Sequence, residues 1–127
     1  VLLFAEIMAV TGKDLGELYR ELAERLGDPA YLRKDRPATQ EMKEAIAELD
    51  REALQARIEE RGGTVAGCRV EAVRDSDGIK LYLADNVGWA LARPSGTENI
   101  VKLYTESFRG EEHRSRLEEE AADLFGL

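Results

Sequence analysis

Cysteine, histidine and tryptophan each occur once in this chain of 127 residues, and proline occurs three times. One cysteine, Cys68, permits no internal disulfide, which fits a reducing compartment. One Cys and one His cannot supply the four ligands of a structural zinc site. Positive charge is also short: 18 Lys+Arg stand against 26 Asp+Glu, for a formal net charge of -8. No Lys/Arg cluster offsets that balance. The chain is therefore poorly suited to nucleic acid, whose affinity comes largely from neutralising phosphates. Long apolar runs are missing too. The longest, Val1 to Val10, is interrupted by Glu6 and is too short to span a bilayer. It has neither the basic start nor the small-residue cleavage site of a signal peptide.

What remains is the composition of a globular protein, with 43% hydrophobic and 35% charged residues. The first segment is unusual. Val1-Leu2-Leu3-Phe4-Ala5 opens without Met and without a capping residue. An all-round apolar helix belongs in a core. This segment is therefore expected to be part of a longer protein, with apolar surface left uncovered once its own domain is gone.

Period and punctuation predict the elements. Val1 to Val10 reads as a helix stopped at Thr11-Gly12. Asp14 caps a second helix with Leu15, Leu18, Tyr19, Leu22 and Leu26 on one face, and Gly27 ends it. Asp28-Pro29 marks a linker, and Tyr31 to Pro37 reads as a strand or a hinge. Thr39 begins helical material with Met42, Ala45, Ile46 and Leu49 on one face. Asp50 caps the next helix, with Leu54 and Ile58 inward, closed by Arg61-Gly62-Gly63.

The period then changes to two. Arg69 to Arg74, Ile79 to Ala84, Val87 to Arg93 and Ile100 to Glu106 alternate as strands of an antiparallel meander. Asp75-Ser76-Asp77-Gly78 and Asp85-Asn86 are hairpin turns. A last helix starts at Glu111, with Leu117, Ala121, Leu124 and Phe125 on one face. Helices and strands are segregated, so the class is α+β. The domain boundary is expected near Gly27 to Pro29, dividing residues 1–28 from 29–127. Trp89, alternating with Val87 and Leu91, is expected in the core. Cys68 is read as a small packing residue, His113 as a solvated surface position, and Glu118-Glu119-Glu120 as a wet helix face.

One segment carries chemistry. Arg93-Pro94-Ser95-Gly96-Thr97-Glu98 lies between two predicted strands. Arg93 offers a planar fork to a phosphate. Ser95 and Thr97 offer hydroxyl donors. Gly96 lets the backbone turn and present N–H groups inward, as anion-binding concavities do. Pro94 reduces the entropy lost on ordering the loop. Lys102, on the next strand beside Tyr104, can point back at the same anion. Turns of any kind use Pro, Ser, Gly and Thr. On composition the segment is thus either an ordinary hairpin loop, with Arg93 paired to Glu98, or an anion site.

Arg93 to Glu98, followed by Val101-Lys102-Leu103-Tyr104 and Glu106-Ser107, resembles the phosphate-binding loop of the α-D-phosphohexomutase superfamily, nearest its bacterial phosphoglucomutase branch. The resemblance extends over nearly the whole chain. Ala5 to Lys13 and Tyr19 to Gly27 look like the last helices of that family's third domain. Asn86 to Arg93 resembles the strand entering the loop, and Ser107 to Arg114 the start of the final helix.

The resemblance implies a fourth domain of TATA-binding-protein-like α+β fold, an antiparallel sheet with helices on one face. Such a fold does not by itself imply DNA binding. It implies a loop that grips the phosphate not being transferred, with contacts at Arg93, Ser95, Gly96 and Thr97. Lys102 stands where sugar mutases often place an arginine, and so has a secondary role. It further implies a cytoplasmic four-domain enzyme using a phosphoserine and Mg2+. That enzyme interconverts glucose 1-phosphate and glucose 6-phosphate through glucose 1,6-bisphosphate. The family's serine loop, metal loop and sugar-specifying loop have no counterpart in these residues. No catalytic or metal-ligating residue is therefore assigned here, and activity is expected only with the missing N-terminal domains. Mutases of mannose phosphate or another hexose phosphate, and a free-standing phosphate-binding module without catalysis, are the alternative readings.

Overall fold

A computed structural model describes residues 1–127. Helix α1 spans Leu2–Thr11 and α2 spans Leu15–Leu26. Asp14 caps α2 through a complete capping box with Glu17, satisfying two otherwise orphaned N–H groups. Neither helix buries a residue, and Leu2, Leu3, Phe4 and Val10 of α1 are all exposed.

Strand β1 (Ala30–Pro37) follows, so the segment read as strand or hinge is a strand. Helices α3 (Gln40–Glu48) and α4 (Arg51–Glu60) are capped by Thr39 and Asp50 as expected. A meander comes next: β2 (Thr64–Val65), β3 (Cys68–Arg74), β4 (Ile79–Leu83), β5 (Gly88–Pro94) and β6 (Ile100–Ser107). Helix α5 (Glu111–Phe125) closes the chain. The sheet order is β1-β6-β5-β4-β3-β2, with every pair antiparallel. The two-residue β2 has no period to read, and sequence reasoning missed it. Asp85 and Asn86 lie in the four-residue connection between β4 and β5 with φ of 59° and 54°, left-handed values that Asp and Asn tolerate better than most residues.

Helices α3, α4 and α5 pack on one face of the sheet, giving the expected α+β architecture. Their apolar stripes meet the inward residues of the strands. Leu54, Ile79, Leu81, Leu117 and Val101 are completely buried. The opposite sheet face is left open.

Strand β5 runs with the parity opposite to expectation. Ala90 and Ala92 face the helices and are fully buried, while Trp89 and Leu91 are only partly buried on the open face. Both α3 and α5 cross β5, and alanine side chains leave room for them. Alternation alone does not say which of two alternating sets faces inward, and size misled here. Trp89 instead donates from Nε1 to Glu106 Oε1 at 2.9 Å. The Lys80 ammonium lies over its ring, 3.7 Å from the centroid.

Helix α5 also buries more than expected. Arg114 and Glu118 are 6% and 5% exposed, so the acidic run is not a wet face at Glu118. Lys34 on the edge strand donates to Glu118 Oε1 at 2.8 Å, and Arg114 donates to Glu118 Oε2 at 3.0 Å. Glu120 accepts from the Ala66 backbone N–H at 2.6 Å. His113 is not a solvated side chain either. Its Nδ1 lies 2.7 Å from Ser107 Oγ and its Nε2 lies 3.4 Å from Cys68 Sγ. It sits four residues before Leu117, on the inward stripe. Burial, then the neighbouring Arg109 charge, push its pKa below the ordinary histidine value. Cys68 is buried as expected, with Arg109 Nη1 donating to its sulfur at 3.2 Å.

Candidate phosphate-binding loop

The strand–loop–strand unit at the β5–β6 connection places the residues singled out in the sequence. Strand alternation puts Arg93 on the open face. Lys102 lies directly opposite it on β6, and Asp35 lies opposite Lys102 on β1. Arg93 and Lys102 are thus cross-strand neighbours on one face. Two like charges so placed repel unless an anion joins them. Arg33 holds the Asp35 carboxylate through two bonds of 3.0 and 2.9 Å. The Arg33 hydrogen bonds, with a further contribution from Lys102, keep that carboxyl below its usual range.

Arg93 is not paired with Glu98. Its Nη1 lies 3.3 Å from Asp77 Oδ2 in the β3–β4 turn, with both side chains more than half exposed. Gly78 sets that turn tightly against β5: at φ +90°, an added Cβ would stand 2.5 Å from the Ala92 carbonyl oxygen. A cleft of about 470 Å³ lies between α3 and this turn, and Arg93 and Pro94 reach it. Ser95, Gly96 and Thr97 lie outside its lining.

The loop itself is ordered by its own bonds. Ser95 N–H donates to the Ile100 carbonyl at 3.0 Å, closing the hairpin. Ser95 is 7% exposed, and its Oγ accepts from Glu98 N–H at 3.3 Å. Its hydroxyl hydrogen remains available to donate. Gly96 and Thr97 are exposed, and a Cβ built on Gly96 would meet nothing within 4 Å. The backbone N–H groups of Gly96, Thr97 and Asn99 donate to no protein acceptor. An exposed turn with three free N–H groups, two hydroxyls and two flanking cations has the donor set of an oxyanion site.

Two bonds fasten the far side of the loop. Lys43 Nζ on α3 donates to the Glu98 carbonyl at 2.8 Å, and Ala38 N–H donates to the Asn99 carbonyl at 3.0 Å. Sequence reasoning did not find Lys43, which stands 55 residues before its partner and is half-buried beside Met42 on α3. No motif joins them. The chain has no group of three or more His, Cys, Asp or Glu side chains able to hold a metal ion. No helix is long and apolar enough to cross a membrane.

Known proteins resemble this chain over most of its length. The model of the phosphoglucomutase/phosphomannomutase C-terminal domain matches residues 20–124. A phosphoglucomutase of Komagataeibacter xylinus is 38% identical over 125 residues, covering 96% of this chain and 22% of that protein. A phosphoglucomutase/phosphomannomutase of Thermococcus kodakarensis is 33% identical over 113 residues, covering 89% of this chain and 21% of that protein. The chain spans about a fifth of the length of these curated relatives. With the match running through the sheet, the loop and the closing helix, the chain belongs to the phosphoglucomutase/phosphomannomutase family and carries its C-terminal domain.

Proposed function

We propose that this chain is the phosphate-clamping part of a phosphoglucomutase that interconverts glucose 1-phosphate and glucose 6-phosphate through glucose 1,6-bisphosphate. The observation that carries the reading is the set of unengaged donors on the β5–β6 loop, Gly96, Thr97 and Asn99 N–H, flanked by Arg93 and Lys102. The dianion of the phosphate that is not transferred is held by these N–H groups and the Ser95 and Thr97 hydroxyls. Arg93 swings from Asp77 to meet it, and Lys102 adds a point charge. Leaving Asp77 is inexpensive because exposed pairs contribute only about 0–1 kcal/mol.

The residues of this chain do not fit a magnesium site, having no cluster of suitable ligands. Mg2+ and a phosphoserine belong, on this reading, to parts of the enzyme outside these residues. The clamp orients substrate and the chemistry occurs elsewhere. Because the Thermococcus relative is named for both mutase activities, mannose phosphates are the second substrate to test.

Charge-assisted hydrogen bonds contribute roughly 1.5–3 kcal/mol each. Association costs at least about 4 kcal/mol in rigid-body freedom. The loop alone therefore binds at about millimolar dissociation constants. Glucose 6-phosphate titrated into the chain is expected to shift the amide resonances of Ser95 to Thr97 at millimolar concentration. It should not do so after Arg93→Ala. No shift at tens of millimolar in the unaltered chain would remove the site.

A further inference from the structure

The β5–β6 loop is fastened from outside the hairpin through two of its carbonyls. Consecutive carbonyls, of Glu98 and Asn99, both accept from the Ala38–Lys43 segment. In a trans peptide the carbonyl and the following N–H point in opposite directions. Holding the Glu98 carbonyl toward α3 therefore aims the Asn99 N–H away from α3. Ala38 does the same for the next peptide by a backbone bond that strand pairing imposes, since Pro37 pairs with Ile100. Lys43 is different. Its bond is made by a side chain, from another element, and nothing in the hairpin requires it.

Lysine also suits the task. Nζ carries three donors, and one is used at 2.8 Å on the Glu98 carbonyl. A charged donor on a backbone carbonyl makes a stronger tether than a neutral one. It also places a positive charge beside the loop that does not compete for its N–H groups. Without it the Glu98–Asn99 peptide makes no hydrogen bond of its own, and only its neighbours are held, by Glu98 N–H on Ser95 Oγ at 3.3 Å and by Ala38 N–H on the Asn99 carbonyl at 3.0 Å.

We infer that Lys43 is a positioning residue for phosphate recognition, fixing the Glu98–Asn99 peptide so that Asn99 presents its N–H to the anion. This rests on the β5–β6 loop being the phosphate site. The test is titration of the 127-residue chain with glucose 6-phosphate, following the Gly96, Thr97 and Asn99 amides in unaltered protein, Lys43→Met, Lys43→Arg and Arg93→Ala. Lys43→Met is expected to weaken binding about tenfold, the worth of one charged hydrogen bond. Its thermal midpoint should stay within a few degrees, because the side chain is not in the core. Lys43→Arg keeps a charged donor and should restore binding to within about threefold. Lys43→Gln, a neutral donor, replaces Lys43→Met should the latter not fold.

Unaltered binding in Lys43→Met beside lost binding in Arg93→Ala would leave the site standing and overturn the role of Lys43. Equal losses in Lys43→Met and Lys43→Arg would overturn it as well. No effect of either Lys43→Met or Arg93→Ala would overturn both the site and the tether.

Discussion

Replacing Arg114 by methionine should test how the edge strand and the last helix are held to the sheet. The Arg114 guanidinium is buried against β6 and donates to Thr105 Oγ1 at 3.1 Å and Glu118 Oε2 at 3.0 Å, with Glu111 as a third partner. Removing one partner of a buried pair costs about 3–5 kcal/mol when the other is left alone. Glu118 is not left alone, since Lys34 donates to it at 2.8 Å and Arg36 lies 3.7 Å away. The expected loss is therefore about 2–3 kcal/mol, at or below the foot of that range. Unfolding entropy near 60 °C is about 0.2 kcal/mol/K for roughly 100 residues, so the thermal midpoint should fall by about 10–15 °C. Circular dichroism at neutral pH reads this directly. Arg114→Met/Glu118→Leu should recover most of the loss, because an apolar pair removes the buried carboxylate along with its main buried partner. A single variant melting within about 3 °C of the parent would refute the reasoning, taking the same entropy. So would a double variant as unstable as the two singles combined.

The pH dependence of the same variant has a definite sign. Burial works to raise the Glu118 pKa, but the Lys34 and Arg114 hydrogen bonds prevail and hold it below the ordinary glutamate value. A depressed folded pKa gives stability that is present above the unfolded value, about 4.3, and lost as pH falls through the folded one. Arg114→Met weakens the depression. Its stability should therefore decline less than the parent's between about pH 5 and pH 3.

Two further outcomes follow from particular contacts. His113 is held below its ordinary pKa by burial and by Arg109, so the unfolded chain binds more protons between the two values. Stability should drop as pH falls below about 6.5, and His113→Asn should flatten that part of a melting-temperature profile. Gly78→Ala forces a side chain into a backbone conformation of φ +90° and against the Ala92 carbonyl oxygen at 2.5 Å. It should cost about 1–3 kcal/mol by urea denaturation, and an unchanged midpoint would show that the turn adjusts freely.

Much of this fold is legible in the sequence because its signals are local. Asp14, Thr39 and Asp50 each stand before an apolar-periodic run, and each caps a helix. Ile79, Leu81 and Leu83 alternate with polar residues and are all buried. What escaped reading depends on elements distant in sequence. The parity of β5 follows from two helices crossing it, which nothing between Val87 and Arg93 announces. Glu118 is buried because Lys34, 84 residues away, neutralises it from an edge strand. His113 had a readable clue in its spacing to Leu117, but a charged neighbourhood in sequence disguised an inward position. The loop shows both cases. Arg93, Ser95, Gly96, Thr97 and Lys102 are contiguous enough to be noticed, whereas the residue that pairs with Arg93 and the one that tethers Glu98 lie in other elements.

A clamp of this kind gains from being weak. Under the proposed function the bisphosphate must turn around between half-reactions, so the loop has to release one phosphate and accept the other. On that proposal its contacts would be to phosphate oxygens and not to the sugar, and a phosphate dianion offers the same oxygens at either end of the molecule. With a millimolar dissociation constant and association at about 10⁶–10⁷ M⁻¹s⁻¹, release occurs at about 10³–10⁴ s⁻¹. Typical turnover is about 1–10³ s⁻¹, so letting go does not limit the cycle. A nanomolar site with the same association rate would release in minutes and stall it. The net charge of -8 favours the same regime. Cations at one hairpin attract the phosphate within a Debye length of about 8 Å, while the remaining acidic surface gives a doubly charged ligand little reason to linger.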